Sequence, residues 1–82
     1  MVIKRTELVD EYGRDAFIVT DGYRAKKGMP WSWDTMAYRF GGTVPYLVKE
    51  NCRDKANALE YHNYSITALE DEGWEVCTNV EF

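Results

Sequence analysis

The first half of the chain alternates between short apolar, β-branched runs and turn-forming residues. Residues 2–9 mix β-branched and charged side chains, which predicts a half-exposed strand. A turn is expected at 11–14, and the apolar run at 16–20 predicts a more buried strand. The Asp-Gly pair at 21–22 suits a two-residue hairpin turn, because both residue types tolerate positive φ. A third short strand is then expected at 23–26.

The middle of the chain fits two structures. Residues 35–40 and 43–48 flank a Gly-Gly pair at 41–42, which is a hairpin signature. Ser32 is also a good capping residue for a short helix that would end before the glycine pair. The hairpin is preferred. It requires an edge position or a bulge at Pro45, since proline cannot donate a hydrogen bond to a neighbouring strand.

The clearest element is an amphipathic helix at about residues 54–72. At 3.6 residues per turn, one of its faces collects apolar side chains and the single histidine: Ala58, Leu59, His62, Ile66 and Leu69. Asp54 is the preferred N-cap, with Asn51 as a competitor. Gly73 stands where a left-handed residue ends many helices, and Trp74 follows at the position that folds back onto the last turn.

Residues 74–82 alternate strictly between two kinds of side chain, which predicts a final strand. Its largely apolar face is expected to consist of Trp74, Val76, Thr78, Val80 and Phe82. The helix and this strand should bring five residues together in the core: Leu59, Ile66, Leu69, Trp74 and Val76. The chain is therefore expected to be one α+β domain, residues 1–82. A four- to five-stranded, mainly antiparallel sheet should pack one face against the helix.

Composition and charge narrow the class of protein. With 45% apolar and 29% charged residues, the composition is that of an ordinary globular chain. Residues 1–53 carry nine basic and seven acidic side chains, whereas residues 54–82 carry one basic and seven acidic, for a net charge of −4. The acidic C-terminal third is either a solvated helix end or a surface that repels phosphate backbones and favours basic protein surfaces. No apolar run approaches the roughly 18 residues that span a bilayer, so a cytoplasmic location without membrane contact is expected.

Groups capable of chemistry are few. Cys52 and Cys77 lie outside any CxxC pair, and we expect both to be reduced and free of metal. His62 projects onto the apolar helix face, which favours a hydrogen-bonded core or boundary residue. Asp71 and Glu72 diverge by about 100° around a helix and so do not form an acid pair. Phosphate-loop, dinucleotide-binding and zinc-protease motifs are absent from the sequence, so we predict no enzyme activity, cofactor or metal site.

Aromatic residues give the best indication of a contact surface. Residues 30–40, which follow an expected loop at 27–30, hold two of the three tryptophans, a tyrosine and a phenylalanine. On the helix, two tyrosines at i, i+3 spacing project away from the apolar face. The predicted partner-binding residues are Trp31, Trp33, Tyr38, Tyr61 and Tyr64. Basic residues interleave with the first group, as they do in single-strand binders. The nucleic-acid alternative assigns contacts within 24–40 to Arg24, Lys26, Lys27 and Arg39.

Residues 68–76, Ala-Leu-Glu-Asp-Glu-Gly-Trp-Glu-Val, resemble the helix–Gly–Trp–Glu–strand ending of many small bacterial and phage proteins. The short, acidic, aromatic-rich chain is also similar to small phage accessory proteins. Several of those inhibit host polymerases, nucleases or CRISPR complexes by binding them. The resemblance implies a non-enzymatic protein-binding module that inhibits or modulates a host protein. A homodimer is a separate expectation that does not depend on the resemblance. The alternative is a nucleic-acid-binding accessory protein.

Overall fold

A computed structural model describes residues 1–39 and 45–82 of the protein, which adopt an α+β fold. In this part of the chain, five strands form one antiparallel sheet and one helix packs against it. The elements are β1 (Val2–Val9), β2 (Asp15–Tyr23), β3 (Ser32–Arg39), β4 (Leu47–Cys52), α1 (Lys55–Asp71) and β5 (Glu75–Glu81). The strands lie in the order β4-β3-β2-β1-β5, so the fold class predicted from the sequence is confirmed.

The turn predicted at 11–14 joins β1 to β2. The Asp10 carboxylate stabilises it by accepting hydrogen bonds from the backbone nitrogens of Tyr12 at 2.9 Å and Arg14 at 2.8 Å. Gly13 has a φ of 77°, a left-handed conformation that favours glycine. Local sequence is therefore sufficient to specify this connection.

The hairpin turn predicted at 21–22 is wrong, because β2 continues through both residues to Tyr23. Gly22 pairs with Trp33 of β3, and its backbone nitrogen donates to the carbonyl oxygen of Met1 at 2.8 Å. A Cβ atom at this position would lie 2.8 Å from the indole nitrogen of Trp33. Close packing, and not a turn, therefore explains the glycine. The strand predicted at 23–26 is also wrong, since a loop runs from there to the start of β3.

The ambiguous middle segment is a strand and not a helix. β3 pairs with β2 along its whole length, from Arg39 opposite Ala16 to Ser32 opposite Tyr23. The glycine turn predicted at 41–42 lies outside the described residues. The strand predicted at 43–48 is β4 at Leu47–Cys52, so Pro45 lies before it and not within it. β4 is an edge strand of the sheet, as expected for the strand next to this proline.

The predicted helix and its caps are confirmed to within one residue at each end. Asp54 accepts a hydrogen bond from the backbone nitrogen of Ala56 at 2.9 Å. Gly73 has a φ of 96°, and the backbone nitrogen of Trp74 donates to the carbonyl of Leu69 at 3.0 Å. This Schellman ending turns the chain directly into β5. No helix among the described residues is long and apolar enough to cross a membrane.

The core lies between α1 and the central strands β2 and β3. It is a cluster of six buried residues: Leu8, Ala16, Ile18, Ala37, Leu69 and Trp74. Leu69 and Trp74 are buried and Ile66 packs against the cluster, as predicted, while Leu59 is half-buried. The prediction that Val76 is buried is wrong, because its side chain is 39% exposed. The reason is its place on β5, the edge strand beside β1 and away from the centre of the helix.

β5 does not present the single face predicted from its alternation. Its pairing with β1 shifts register, so that Glu7 lies opposite Thr78 but Leu8 lies opposite Val76. The extra residue, Cys77, reverses the alternation at that point. Val76 therefore shares the helix side of the sheet with Leu8, whereas Thr78 lies with Glu7 on the opposite side.

Candidate interaction surfaces

The first candidate surface is a groove between α1 and the edge strand β4. We call it the tyrosine groove, and its residues are Leu47, Lys49, Tyr61, Tyr64 and Ser65. Tyr61 and Tyr64 are 42% and 66% exposed, as expected from the helix projection. The Lys49 ammonium lies 4.9 Å from the centre of the Tyr61 ring, within range of a cation–π attraction. Lys49 therefore holds Tyr61 near β4, while Tyr64 projects further into solvent.

A shallow concavity on the outer side of α1 continues this groove. Its lining consists of Glu60, Tyr61, Asn63, Tyr64 and Thr67. Two aromatic rings are thus surrounded by one carboxylate, one amide and one hydroxyl group. An apolar centre with a polar rim is the usual composition of a protein contact site.

The second candidate surface is the group Arg24, Trp31 and Trp33, which we call the tryptophan corner. The two indole rings are stacked, with centres 6.5 Å apart and planes at 22°. The Arg24 guanidinium lies 5.1 Å from the centre of the Trp31 ring. Trp31 is 36% exposed, whereas Trp33 is half-buried and packs over Gly22. Trp33 therefore supports the outer ring, and Trp31 is the one that a partner would meet.

The four basic residues of the nucleic-acid prediction do not form one patch. Three of them belong to the exposed loop between β2 and β3: Arg24, Lys26 and Lys27. Arg39 ends β3 at its other extremity. Its guanidinium lies 4.4 Å from the centre of the Tyr46 ring and 3.7 Å from a Glu72 carboxylate oxygen. Arg39 is therefore engaged near the end of the helix, away from the tryptophan corner.

The third candidate surface is the side of the sheet that points away from α1, which we call the open face. Two rows of side chains cross its strands. One row is Val80, Arg5, Val19, Met36 and Val48. The other is Thr78, Glu7, Phe17 and Tyr38. Within 1–39 and 45–82, no helix or strand packs on these rows.

A stack of one cation and two rings occupies the middle of the open face. The Phe17 and Tyr38 rings are stacked with centres 4.7 Å apart and planes at 20°. The Arg5 guanidinium lies 4.4 Å from the centre of the Phe17 ring, and its Nε lies 3.2 Å from a Glu7 carboxylate oxygen. Tyr38 and Trp33 are on opposite sides of β3, because alternate residues of a strand point to opposite faces. The aromatic segment 30–40 is therefore two surfaces and not one.

Sequence reasoning missed most of the open face. It identified only Tyr38, and it assigned the run at 16–20 to a buried strand. The alternation of Phe17 with Val19, and of Met36 with Tyr38, was the available signal, because such pairs mark one side of a strand.

The opposite, covered face contains a chain of buried hydrogen bonds. His62 is fully buried, with Nε2 2.8 Å from the Thr6 hydroxyl and Nδ1 2.8 Å from the Thr20 hydroxyl. The Thr20 hydroxyl lies 2.7 Å from that of Thr35, which donates to the carbonyl oxygen of Ala58 at 2.7 Å. The prediction that His62 is a hydrogen-bonded core residue is confirmed.

The number of hydroxyl protons sets the direction of these bonds. Thr35 gives its one proton to the helix carbonyl, so it accepts from Thr20, which in turn accepts from Nδ1–H of His62. Burial lowers the pKa of His62 to about 4, and the positive charge of Lys4 acts in the same direction. The ring is therefore neutral near pH 7, and its Nε2 accepts from the hydroxyl of Thr6.

The proton of Thr6 also fixes a neighbouring amide. Its Oγ1 lies 2.8 Å from Asn79 Oδ1 as well as from His62, and one proton cannot serve both acceptors. With a neutral ring, the nitrogen of the Asn79 amide therefore faces Thr6. With a charged ring, Nε2–H donates to Thr6, and Thr6 then donates to the oxygen of Asn79.

The remaining polar groups are simpler. Cys52 is a buried free thiol and Cys77 an exposed one. Among the described residues, no group of three or more His, Cys, Asp or Glu side chains is placed to hold a metal ion. Two acids of the C-terminal third are paired across elements, Glu81 with Lys4 at 3.5 Å and Glu72 with Arg39.

No known protein family, curated protein or solved structure matches this chain. The three surfaces must therefore be interpreted from their own geometry and chemistry.

Proposed function

We propose that this protein is a non-enzymatic protein-binding module and that the tyrosine groove is its principal contact surface. The observation that carries the proposal is the exposure of two neighbouring tyrosine rings beside an edge strand. Tyr61 and Tyr64 are 42% and 66% exposed and line the groove together with Leu47 and Lys49 of β4. Tyrosine is among the residue types that dominate interface energies, because a large rigid ring loses little entropy when it is buried.

The position of the single histidine supports binding over catalysis. His62 is fully buried, and both ring nitrogens are hydrogen-bonded to threonine hydroxyls. A substrate would have to displace α1 from the sheet to reach this ring. The side chain best suited to acid–base chemistry near pH 7 therefore serves the core.

The chemistry of the groove favours a partner with a basic and apolar surface. Glu60 lines the same concavity as Tyr61 and Tyr64, and residues 54–82 carry seven acidic side chains against one basic. The groove also holds the Lys49 ammonium, which offsets the charge of Glu60, so the attraction for proteins rimmed by lysine and arginine comes from the acidic C-terminal third around it. In line with the resemblance to small phage accessory proteins, we infer that the partner is a host protein or complex in the host cytoplasm. A polymerase, a nuclease or a CRISPR complex, inhibited by the bound protein, is the first class to test.

Affinity capture from a bacterial lysate tests the groove with matched variants. Tyr64→Ala should weaken capture at least about thirtyfold, since truncating an interface anchor costs about 2 kcal/mol or more. Tyr12→Ala is the control, because Tyr12 is 75% exposed in the β1–β2 turn, outside the groove. Equal capture by the two variants would contradict the proposal. So would a loss of stability in Tyr64→Ala large enough to explain its lost binding.

One observation favours a second candidate function, that of a nucleic-acid-binding accessory protein. The tryptophan corner places the Arg24 cation 5.1 Å from the centre of the Trp31 ring, and Lys26 and Lys27 lie in the same exposed loop. Single-strand binders combine cations with stacking rings in this way. Its weakness is the net charge of −4 for the whole chain.

Fluorescence anisotropy with a single-stranded oligonucleotide at low and high salt tests this candidate. The double variant Lys26→Ala/Lys27→Ala should weaken binding and reduce its salt dependence, because phosphate contacts release counterions. Arg39→Ala removes one charge at the other end of β3 and should have little effect. Binding that is absent, or that is insensitive to the two lysines, would remove the candidate.

A further inference from the structure

We propose that the open face is the interface of a symmetric homodimer, in which β1, β2 and β3 stack on the same strands of a second copy. The proposal is independent of the tyrosine groove, which lies on the helix side of the sheet. It rests on the composition of the open face, on its register and on its charge.

The composition of the open face is unsuited to water. An antiparallel sheet with one solvated face normally alternates apolar residues toward the core with polar residues outside. Here the outer side carries aliphatic and aromatic side chains on four of the five strands: Val80, Phe17, Val19, Met36, Tyr38 and Val48. The outermost two, Val80 and Val48, are 39% and 47% exposed. A contiguous apolar patch of this kind marks an interaction site.

The register of the sheet makes this face complementary to itself. Thr6, Ile18 and Ala37 pair along one line across β1, β2 and β3. If a two-fold axis lies along this line in the plane of the interface, each strand stacks on its own counterpart in the reverse direction. Side chains on one side of the line then meet those on the other side of the second copy. The resulting contacts are Arg5 with Glu7, Val19 with Phe17, and Met36 with Tyr38.

Each of these contacts is chemically favourable, and the symmetry repeats it. Arg5 and Glu7 carry opposite charges, Val19 places a branched aliphatic group on an aromatic ring, and Met36 places a polarisable sulfur beside another ring. A two-fold interface uses the same patch on both copies, so every contact occurs twice. Two twisted sheets that pack face to face at about −30° retain this arrangement.

Charge at the centre of the open face is complementary to that of a second copy. Arg5 and Glu7 are the charged members of the two rows and cancel each other. Beyond the two rows, both ends of the face are acidic: Asp21 and Asp34 lie at one end, and Asp15 and Glu75 lie at the other. Asp21 pairs with the N-terminal ammonium at 2.6 Å, and Asp34 accepts a hydrogen bond from the backbone nitrogen of Asn51 at 2.9 Å. Within the two rows themselves, a basic or acidic partner finds no net opposite charge. A second copy places a Glu7 carboxylate against Arg5 and an Arg5 guanidinium against Glu7.

The outer side of the sheet approaches the area of a dimer interface. Five strands at about 4.8 Å spacing, each about seven residues long at about 3.3 Å per residue, give the whole outer side of the sheet a projected area of roughly 550 Å², of which the two rows are about half. Side-chain relief raises the accessible area toward the ~800 Å² per partner of a standard interface.

Sedimentation equilibrium of the full chain, combined with a charge exchange, tests the proposal. Arg5→Glu and Glu7→Arg should each raise the dimer dissociation constant at least about tenfold, because each places like charges together twice. Mixing the two single variants should restore association as a heterodimer. The introduced glutamate of one copy then faces the introduced arginine of the other, and the native Arg5 and Glu7 that remain also face each other. Lys55→Glu and Glu70→Arg change the net charge by the same amounts on the exposed helix surface and should leave dimerisation unchanged.

A substitution in the apolar rows provides a second measurement. Val19→Glu should abolish the dimer while leaving a folded monomer, as judged by circular dichroism. A wild-type chain that stays monomeric at high micromolar concentration would overturn the proposal. A dimer that resists the charge variants, or single variants that fail to rescue each other, would overturn it equally.

Discussion

Beneath α1, the sheet presents four buried polar residues on three strands: Lys4, Thr6, Thr20 and Thr35. On its other side, two of these strands, β2 and β3, present Phe17, Val19, Met36 and Tyr38. The covered side also carries the apolar core residues Leu8, Ala16, Ile18 and Ala37. The sheet therefore has apolar residues on both sides, whereas a half-solvated antiparallel sheet usually has polar residues outside. These four open-face residues are half-buried by their neighbours on the sheet, and neither α1 nor another described element covers them.

The polar residues of the covered face have a specific structural use. His62 of α1 bonds to Thr6 of β1 through one ring nitrogen and to Thr20 of β2 through the other. Thr35 of β3 bonds back to the helix carbonyl of Ala58. Hydrogen bonds are directional, so this network sets the position of the helix on the sheet more narrowly than apolar contact alone would.

The largest expected effect is a difference in unfolding free energy between a truncation on the covered face and one on the open face. Leu69→Ala on the covered side should lower the free energy of unfolding by about 2–5 kcal/mol, because Leu69 is 1% exposed and its removal leaves a cavity. Met36→Ala on the open face removes a side chain of similar size and should cost about 1 kcal/mol or less in the monomer. Urea denaturation at low protein concentration measures both. Equal losses would mean that the open face belongs to the core.

The elements that sequence predicts well are those specified by neighbouring residues. The Asp10–Arg14 turn, the Asp54 cap and the Gly73 ending all depend on side chains within a few positions of each other. The Asp-Gly pair at 21–22 gave a wrong turn prediction, because Gly22 is required by close packing against Trp33 on the next strand. No local sequence pattern reveals that contact.

The open face was hard to predict for a related reason. Alternation along a strand identifies two sides but does not say which of them the helix will cover. The run at 16–20 is apolar on both sides, so it is equally compatible with burial. The sequence identifies Tyr38 only as an aromatic residue. Its stacking on Phe17 depends on the β2–β3 register, which the sequence does not reveal.

The second prediction uses pH to test the polar network. The pKa of His62 is lowered from 6.5 to about 4 by burial. Between these values the unfolded chain takes up a proton that the folded chain excludes, so stability is full above pH 6.5 and falls as the pH approaches 4. At about 1.4 kcal/mol per tenfold change in proton affinity, the loss amounts to roughly 3 kcal/mol.

Carboxylates also titrate at the acid end of this range, so a matched variant is needed. His62→Gln cannot take up the proton and should show a much smaller dependence of unfolding free energy on pH between 6.5 and 5. Chemical denaturation across this interval measures the difference. Parallel curves for the two proteins would show that the histidine does not couple folding to pH.

The last and smallest effect compares substitutions at two adjacent residues, Thr20 and Val19. Apolar side chains usually suit a covered position better than polar ones, and here we expect the opposite. Thr20→Val makes the covered face more apolar, yet it should destabilise the monomer by about 1–3 kcal/mol. The reason is that the substitution leaves the buried Nδ1–H of His62 without an acceptor and removes the hydrogen bond that the Thr35 hydroxyl accepts. Val19→Thr makes the opposite exchange on the open face, where water can bond to the new hydroxyl, and should change monomer stability by about 0.5 kcal/mol or less. The two substitutions are nearly equal in size, so the volume of the side chain does not explain a difference between them. A stable Thr20→Val beside a destabilised Val19→Thr would mean that the covered face tolerates apolar groups and that the open face is a packed core.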